Sequence, residues 1–195
     1  MVWPLLHPRM FSRWSESLGM KIFLLLSLFL VSCSSPRPLR TVGQVSLARY
    51  AGHWHEITRL PNAFQRGGSR ATADYTAQPD GSICVVNTEH RPDGTTRTAT
   101  GRATVVEGSG GSRLRVKFAG LASLVPAAAE GNYWIIDLAP DYSAALVGTP
   151  DRKFLWLLSR SASMAPSTQG RYLRRARDEG FDTTRLISPA SVPHG

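Results

Sequence analysis

From Gly52 onward, apolar side chains recur at every second position within short segments, and turn-forming residues close each segment, which is the signature of β-strands. Eight segments fit: 52–60, 71–77, 82–89, 95–106, 113–118, 133–138, 143–147 and 154–159. The connectors include Asp80-Gly81, Asp93-Gly94, Gly108-Ser109-Gly110-Gly111, Pro140-Asp141 and Pro150-Asp151. Glycine supplies positive φ, Asp accepts local backbone hydrogen bonds and Pro presets φ, so these are tight antiparallel connections. Left open, such a meander exposes two strand edges; closing it removes them and leaves room for one small ligand. The expected fold is therefore all-β, an eight-stranded antiparallel up-and-down barrel. A helix over 167–178, capped by Ser167 and stopped by Gly180, is expected to pack outside through Tyr172, Leu173 and Ala176. Phe181 and Leu186-Ile187 would return to the barrel edge.

Ahead of the barrel, residues 22–31 form the one long apolar run, with Lys21 before it and Ser32-Cys33-Ser34-Ser35-Pro36 after it. A membrane-spanning helix needs about 20 apolar residues, so the shorter run reads as a cleaved signal segment, residues 1–32. Residues 1–19 are unlike a compact basic leader, which makes Met20 a candidate start. Leu30-Val31-Ser32-Cys33 resembles the lipobox of bacterial lipoproteins. That resemblance implies acylation of Cys33 and a membrane anchor made of lipid alone; Ser34 after it resembles the pattern of proteins sent to the outer membrane, on its periplasmic face. Residues 33–46, polar and holding Pro36, Pro38 and Gly43, read as the lipidated N-terminus and a tether; 47–187 would be barrel and helix, and 188–195 a tail.

Two cysteines, Cys33 and Cys84, exclude a disulfide scaffold. The formal charge of +9 comes mostly from Arg spread along the chain, which argues against nucleic acid as a partner. The Arg171, Arg174, Arg175 and Arg177 cluster admits a solvated helix face, contact with lipid phosphates or a partner surface.

Tyr50-Ala51-Gly52-His53-Trp54-His55-Glu56 resembles the opening of lipocalins, whose first strand carries Gly-x-Trp. Asp137-Leu138-Ala139-Pro140-Asp141-Tyr142 is similar to that family's Asp-Tyr turn, and Leu155-Trp156-Leu157-Leu158-Ser159-Arg160 to its last-strand Arg. Order and spacing agree from about residue 50 to 187. The branch most resembled is that of bacterial outer-membrane lipoproteins akin to apolipoprotein D. The resemblance implies that Trp54 plugs the closed end, that Arg160 packs over it, that Gly52 permits the approach, and that Asp141 and Tyr142 shape a turn at the same end. It also implies a fatty acid or lysophospholipid as ligand; the oligomeric state stays open, a homodimer included.

With Trp54 inward, strict alternation carries Glu56, Thr58 and Leu60 inward too. The ligand-lining set expected from this register is Glu56, Thr58, Tyr75, Ile83, Val85, Asn87, Tyr133, Ile135, Trp156 and Leu158, flanked by Ala71, Ala73, Gly101, Ala103 and Phe154. An inward Glu56 needs a partner or water, and Arg102 is one candidate. No catalytic site, metal site or cofactor is expected. Gly108-Ser109-Gly110 is a hairpin turn without a nucleophile elbow; His53 and His55 share the outer strand face without a third ligand; none of the five histidines lies on an inward face that would suit haem. Cys84 reads as a small buried hydrophobe. Two rival functions stay open: an isomerase or hydrolase using Cys84 or Glu56, and a structural envelope lipoprotein with a filled barrel.

Overall fold

The computed structural model describes residues 37–119 and 129–189; the expected signal segment, Cys33 and residues 190–195 lie outside them. The strands are β1 (Gly52–Arg59), β2 (Arg70–Ala77), β3 (Ile83–His90), β4 (Thr96–Val105), β5 (Arg113–Phe118), β6 (Tyr133–Leu138), β7 (Ala144–Gly148) and β8 (Leu155–Ser159). Each expected strand is present, with ends shifted by at most one residue. Every neighbour pairs antiparallel, and β8 closes on β1, so the sheet is a barrel without edges. The up-and-down order places the β2–β3, β4–β5 and β6–β7 connections at the end where β1 begins, which we call the floor; the other four connections form the mouth.

Inner and outer strand faces bury separate apolar clusters. The inner one gathers Trp54, Ala73, Ile83, Val85, Leu114, Ile135, Val147 and Leu158. The outer one joins Leu60, Trp134, Ile136, Leu146, Leu155 and Leu157 to the helix α2 (Pro166–Asp178) through Tyr172 and Ala176, both fully buried, and adds Phe181. The helix therefore packs outside the barrel on the expected stripe, but it begins earlier than expected. Pro166 occupies the first turn, where its fixed φ suits the helix, and Ala165 is the N-cap with no side-chain bond, so Ser167 is a helix residue and not the cap. Gly180 (φ +86°) terminates it as expected. Ile187 pairs with Arg59 by reciprocal backbone bonds of 3.0 and 2.9 Å, so the returning segment does reach the barrel edge.

Two departures from the sequence reading matter for the site. The first is a β-bulge in β1: Glu56 opposes Leu158, but Thr58 opposes Leu157 and Arg59 opposes Trp156. One extra residue reverses the inside–outside alternation. Thr58 and Leu60 are thereby turned outward, against expectation, and Arg59 is turned in. The second concerns residues 37–46, which are a docked strap and not a free tether. Leu39 and Val45 are buried, the Val42 N–H bonds Ile135 O (3.0 Å), the Val45 N–H bonds Gly110 O (2.8 Å), and Arg40 pairs with Glu179 at 2.9 Å. A one-turn helix, α1 (Leu47–Tyr50), follows, with Ser46 Oγ accepting the Arg49 N–H at 3.4 Å.

Candidate functional site

The floor is built around one guanidinium. Arg160 stacks over the Trp54 indole with its Cζ 3.7 Å from the ring centroid. Its N–H groups donate to the carbonyls of Arg49, Tyr50, Ala51 and His53 at 2.8–3.1 Å, and to Tyr142 O at 3.3 Å. All five carbonyls belong to α1, the start of β1 and the β6–β7 turn, so one side chain ties three segments together. Gly52 (φ +102°) makes this approach feasible: a Cβ there would lie 3.2 Å from Arg160 Nη1. Asp141 accepts from the Ser143 N–H and hydroxyl, at 3.0 and 2.7 Å. Tyr142 adopts φ 63°, a strained region for a non-glycine, and its hydroxyl accepts the Ser46 N–H at 3.0 Å. The indole N–H of Trp54 donates to Tyr50 O at 2.9 Å, completing a dry seal.

Above the floor lies a tyrosine trio. Tyr133 Oη is 2.8 Å from Tyr50 Oη and 3.2 Å from Tyr75 Oη. Burial pushes all three phenols up, Tyr75 to about 12, so they stay neutral donors and acceptors at any ordinary pH.

The cavity opens over this trio, with a volume of about 160 Å³. Its wall is mostly apolar: Ala71, Ala73, Ile83, Val85, Ala99, Val116, Val147 and Leu158, with the rings of Phe64, Phe118, Tyr75, Tyr133 and Trp156. Of the expected lining residues, Glu56, Tyr75, Ile83, Val85, Asn87, Tyr133, Trp156 and Leu158 face this space. Thr58 and Ile135 do not. Thr58 sits beyond the bulge, with its hydroxyl donating to Ile187 O at 2.9 Å. Ile135 does point inward but is fully buried in the packed layer holding Trp54. Ala103 belongs to that inner cluster as well, and Phe154 stacks on Trp156 at the rim, with ring centroids 6.0 Å apart.

The polar side of the cavity is a node that alternation alone could not place. Glu56 faces in with a side chain only 3% exposed, and its partner is Arg59, 3.6 Å from Nε to Oε1, not Arg102, which pairs with Asp80. Gln65 donates to Glu56 Oε2 at 2.8 Å and accepts from Trp156 Nε1 at 3.2 Å, which fastens the β1–β2 loop over the wall. Glu56 Oε1, Arg59 Nε and Nη1, and Asn87 Oδ1 have no hydrogen-bond partner among the described residues. Burial raises the Glu56 pKa, against the opposing pull of Arg59 and Gln65 and with a small push from Glu89. Nearer the mouth, Glu89 caps the Arg66 N–H at 2.6 Å and pairs with Arg91 at 3.2 Å; despite the cost of burial these bonds hold its carboxyl below the usual range.

Sequence reasoning missed Arg59, Gln65, Phe64, Phe118, Tyr50 and Arg97, the last of which also lines the cavity. A bulge leaves no clear trace in one sequence, and the loop carrying Phe64 and Gln65 reads only as a connector. Tyr50 did carry a signal, four residues before Trp54 in the quoted segment.

The other candidates lie elsewhere. Cys84 opposes Thr76 and Arg102 on the outer phase of β3, half-buried, and therefore faces away from the cavity; it is not the fully buried hydrophobe expected. His53 and His55 are on the outer wall, with His53 Nδ1 2.6 Å from Asp74 and the two rings edge to face. No cluster of three metal-ligating side chains occurs among the described residues.

A closed eight-stranded meander sealed at one end by a stacked Trp–Arg pair, with an apolar hollow above it, defines a cup-shaped barrel of the kind that encloses small ligands. Comparison with known proteins agrees. A lipocalin-like domain matches residues 45–191. The chain is 35% identical over 171 residues to outer membrane lipoprotein Blc of Vibrio cholerae, covering 83% of this chain and 96% of that protein. It is 35% identical over 150 residues to apolipoprotein D of Rattus norvegicus, covering 73% of each. Among solved structures, insecticyanin from the tobacco hornworm Manduca sexta superposes with a TM-score of 0.58 at 17% identity, over 80% of this chain and 85% of that one, a likeness of fold. The chain belongs to the lipocalin family, in the branch of Blc and apolipoprotein D.

Proposed function

We propose that this protein is an envelope lipoprotein, acylated at Cys33 and held at the periplasmic face of the outer membrane, that binds and carries a fatty acid or lysophospholipid in its barrel without chemical turnover. The observation that carries the reading is the cavity itself, an apolar wall with a few polar groups gathered on one side. Each buried methylene contributes about 0.8 kcal/mol, so a dozen offer on the order of 10 kcal/mol gross, before the cost of immobilising the chain. Asn87, Gln65, Tyr133 and the Glu56–Arg59 pair are available to orient a polar head. The printed name of the Blc relative, an outer membrane lipoprotein, supports the location.

The test is titration of the delipidated, anchor-free protein (Cys33→Ser) with a fluorescent fatty acid and a fluorescent lysolipid, followed also by tryptophan emission. The reading expects saturable uptake that Val85→Trp abolishes while the circular dichroism spectrum persists. Absence of saturable uptake of either probe would sink it. Native mass spectrometry of gently extracted protein reads acylation at Cys33, retained lipid and protomer number together.

A further inference from the structure

The strap that precedes α1 joins the mouth to the floor, with Leu39 in the outer apolar cluster and Val42 and Val45 against the inner one. At the floor end the Val45 N–H bonds Gly110 O in the β4–β5 turn, and the Val42 N–H bonds Ile135 O in the layer that holds Trp54. At the other end Arg40 bonds the Glu179 carboxylate through its backbone N–H (3.1 Å) and Nε (2.9 Å), and Arg37 O accepts from Arg152 Nη2. Arg152 lies in the β7–β8 connection, which is part of the mouth. The chain therefore leaves the folded domain, toward its N-terminus, beside the opening of the cavity.

Three residues separate Cys33 from Arg37, a reach of at most about 14 Å. An eight-residue strand tilted by about 40° spans about 20 Å of barrel axis. An anchor at Cys33 thus cannot bring the floor onto a bilayer, whereas it can bring the mouth there without extending fully.

Arginines at the two ends are engaged differently. At the floor, Arg160 is engaged by five carbonyls, Arg49 bonds Pro140 O and covers the Tyr142 ring, and Arg102 pairs with Asp80. At the mouth, Arg70 begins β2, Arg97 is the second residue of β4, and Arg177 lies in the last turn of α2; all three are exposed and, among the described residues, have no carboxylate partner. Phe64, Phe118 and Phe154, each half-buried, stand with them. Arginines ringing part-exposed aromatics suit the headgroup layer of a membrane, where each cation near an anionic surface contributes about 1 kcal/mol.

We propose that the mouth is the face that meets the bilayer, with Arg70, Arg97 and Arg177 seated on anionic phospholipid headgroups, so that an acyl chain passes between membrane and cavity without crossing bulk water. This rests on acylation of Cys33, as proposed above. The experiment uses the mature lipoprotein in vesicles of phosphatidylethanolamine and phosphatidylglycerol, in a Cys84→Ser background, with Thr96→Cys reporting the mouth and Glu107→Cys the floor. A membrane-impermeant maleimide is the probe. Vesicle binding is expected to slow labelling at position 96 several-fold and leave position 107 unchanged. Replacing Arg70, Arg97 and Arg177 together by Gln is expected to restore labelling at position 96 in part, the tether still holding the mouth near the bilayer, and to weaken binding of the anchor-free protein to the same vesicles. Protection at position 107, or equal protection at both, overturns the orientation. Mass spectrometry of the same sample separates the failures: bare Cys33 removes the anchor reading and this one with it, while acylated Cys33 with a protected floor removes only this one.

Discussion

Removal of the guanidinium that crosses the floor should be the most damaging single truncation outside the apolar core. In Arg160→Ala, five backbone carbonyls lose a charged donor and the Trp54 face loses its cation. A hydrogen bond to a charged group contributes about 1.5–3 kcal/mol by itself, and a stacked guanidinium about 0.5–2 kcal/mol. These do not add: the guanidinium is part-exposed, water can rehydrate the outer carbonyls, and Tyr50 O keeps its bond from Trp54 Nε1. A net loss of about 3 kcal/mol is expected, which for a domain of this size lowers Tm by roughly 6–12 °C. Urea unfolding followed by tryptophan fluorescence measures it, with the midpoint shifting at unchanged slope. Arg160→Lys should fall between, since an ammonium has three donors and no planar face to lay on the indole. Arg174→Ala, on the exposed helix face, should change stability by less than about 0.5 kcal/mol and serves as control. An Arg160→Ala loss below about 1 kcal/mol would refute the view that this side chain holds α1, β1 and the β6–β7 turn together.

Glu56→Gln should alter the pH dependence of stability. Because burial raises the folded-state pKa of Glu56, the folded protein holds that proton more tightly than the unfolded chain does. Its contribution is full below the ordinary glutamate value and is lost as pH rises through the raised one, so the Tm difference between wild type and variant should shift in the variant's favour across that window. Glu89, whose carboxyl is lowered, contributes in the opposite sense, losing stability as pH falls through its folded value, and cancels in the difference. A pH-independent difference would contradict the assignment. Gly101→Ala should cost about 1–3 kcal/mol by chemical denaturation, since its Cβ would lie 2.7 Å from Phe118 Cδ1 and 2.8 Å from the fixed Lys117 carbonyl. Leu39→Ala should cost about 2–3 kcal/mol, and amide exchange should rise at Val42 and Val45, because the strap is packed; an unchanged exchange pattern would return it to the status of a tether.

The limits of sequence reading in this protein follow from what each feature depends on. The eight strands and the closed meander were legible because alternation and turn chemistry are local and point to the same answer. The pairing of Trp54 with Arg160 was legible only through family resemblance, since 105 residues of chain intervene and nothing local links them. Alternation then carried the inner face of β2 and β3 correctly through Ala73, Tyr75, Ile83, Val85 and Asn87, because those two strands pair without interruption over eight positions. In β1 the same rule fails after Glu56, where one bulged residue trades Thr58 for Arg59. The trade is chemical as well as geometric: it puts a guanidinium 3.6 Å from a carboxylate that would otherwise lie buried and uncompensated. An inward Glu five residues before a Pro-Asn connector, with Arg three positions on, is therefore a reason to test a register shift before assigning the Glu a distant partner. The strap escaped for a different reason. Its Pro and Gly content signals irregular backbone, and irregular backbone need not be free: Leu39, Val42 and Val45 recur every third residue and dock by side chain and by isolated backbone bonds, a mode of packing that neither strand nor helix periodicity detects.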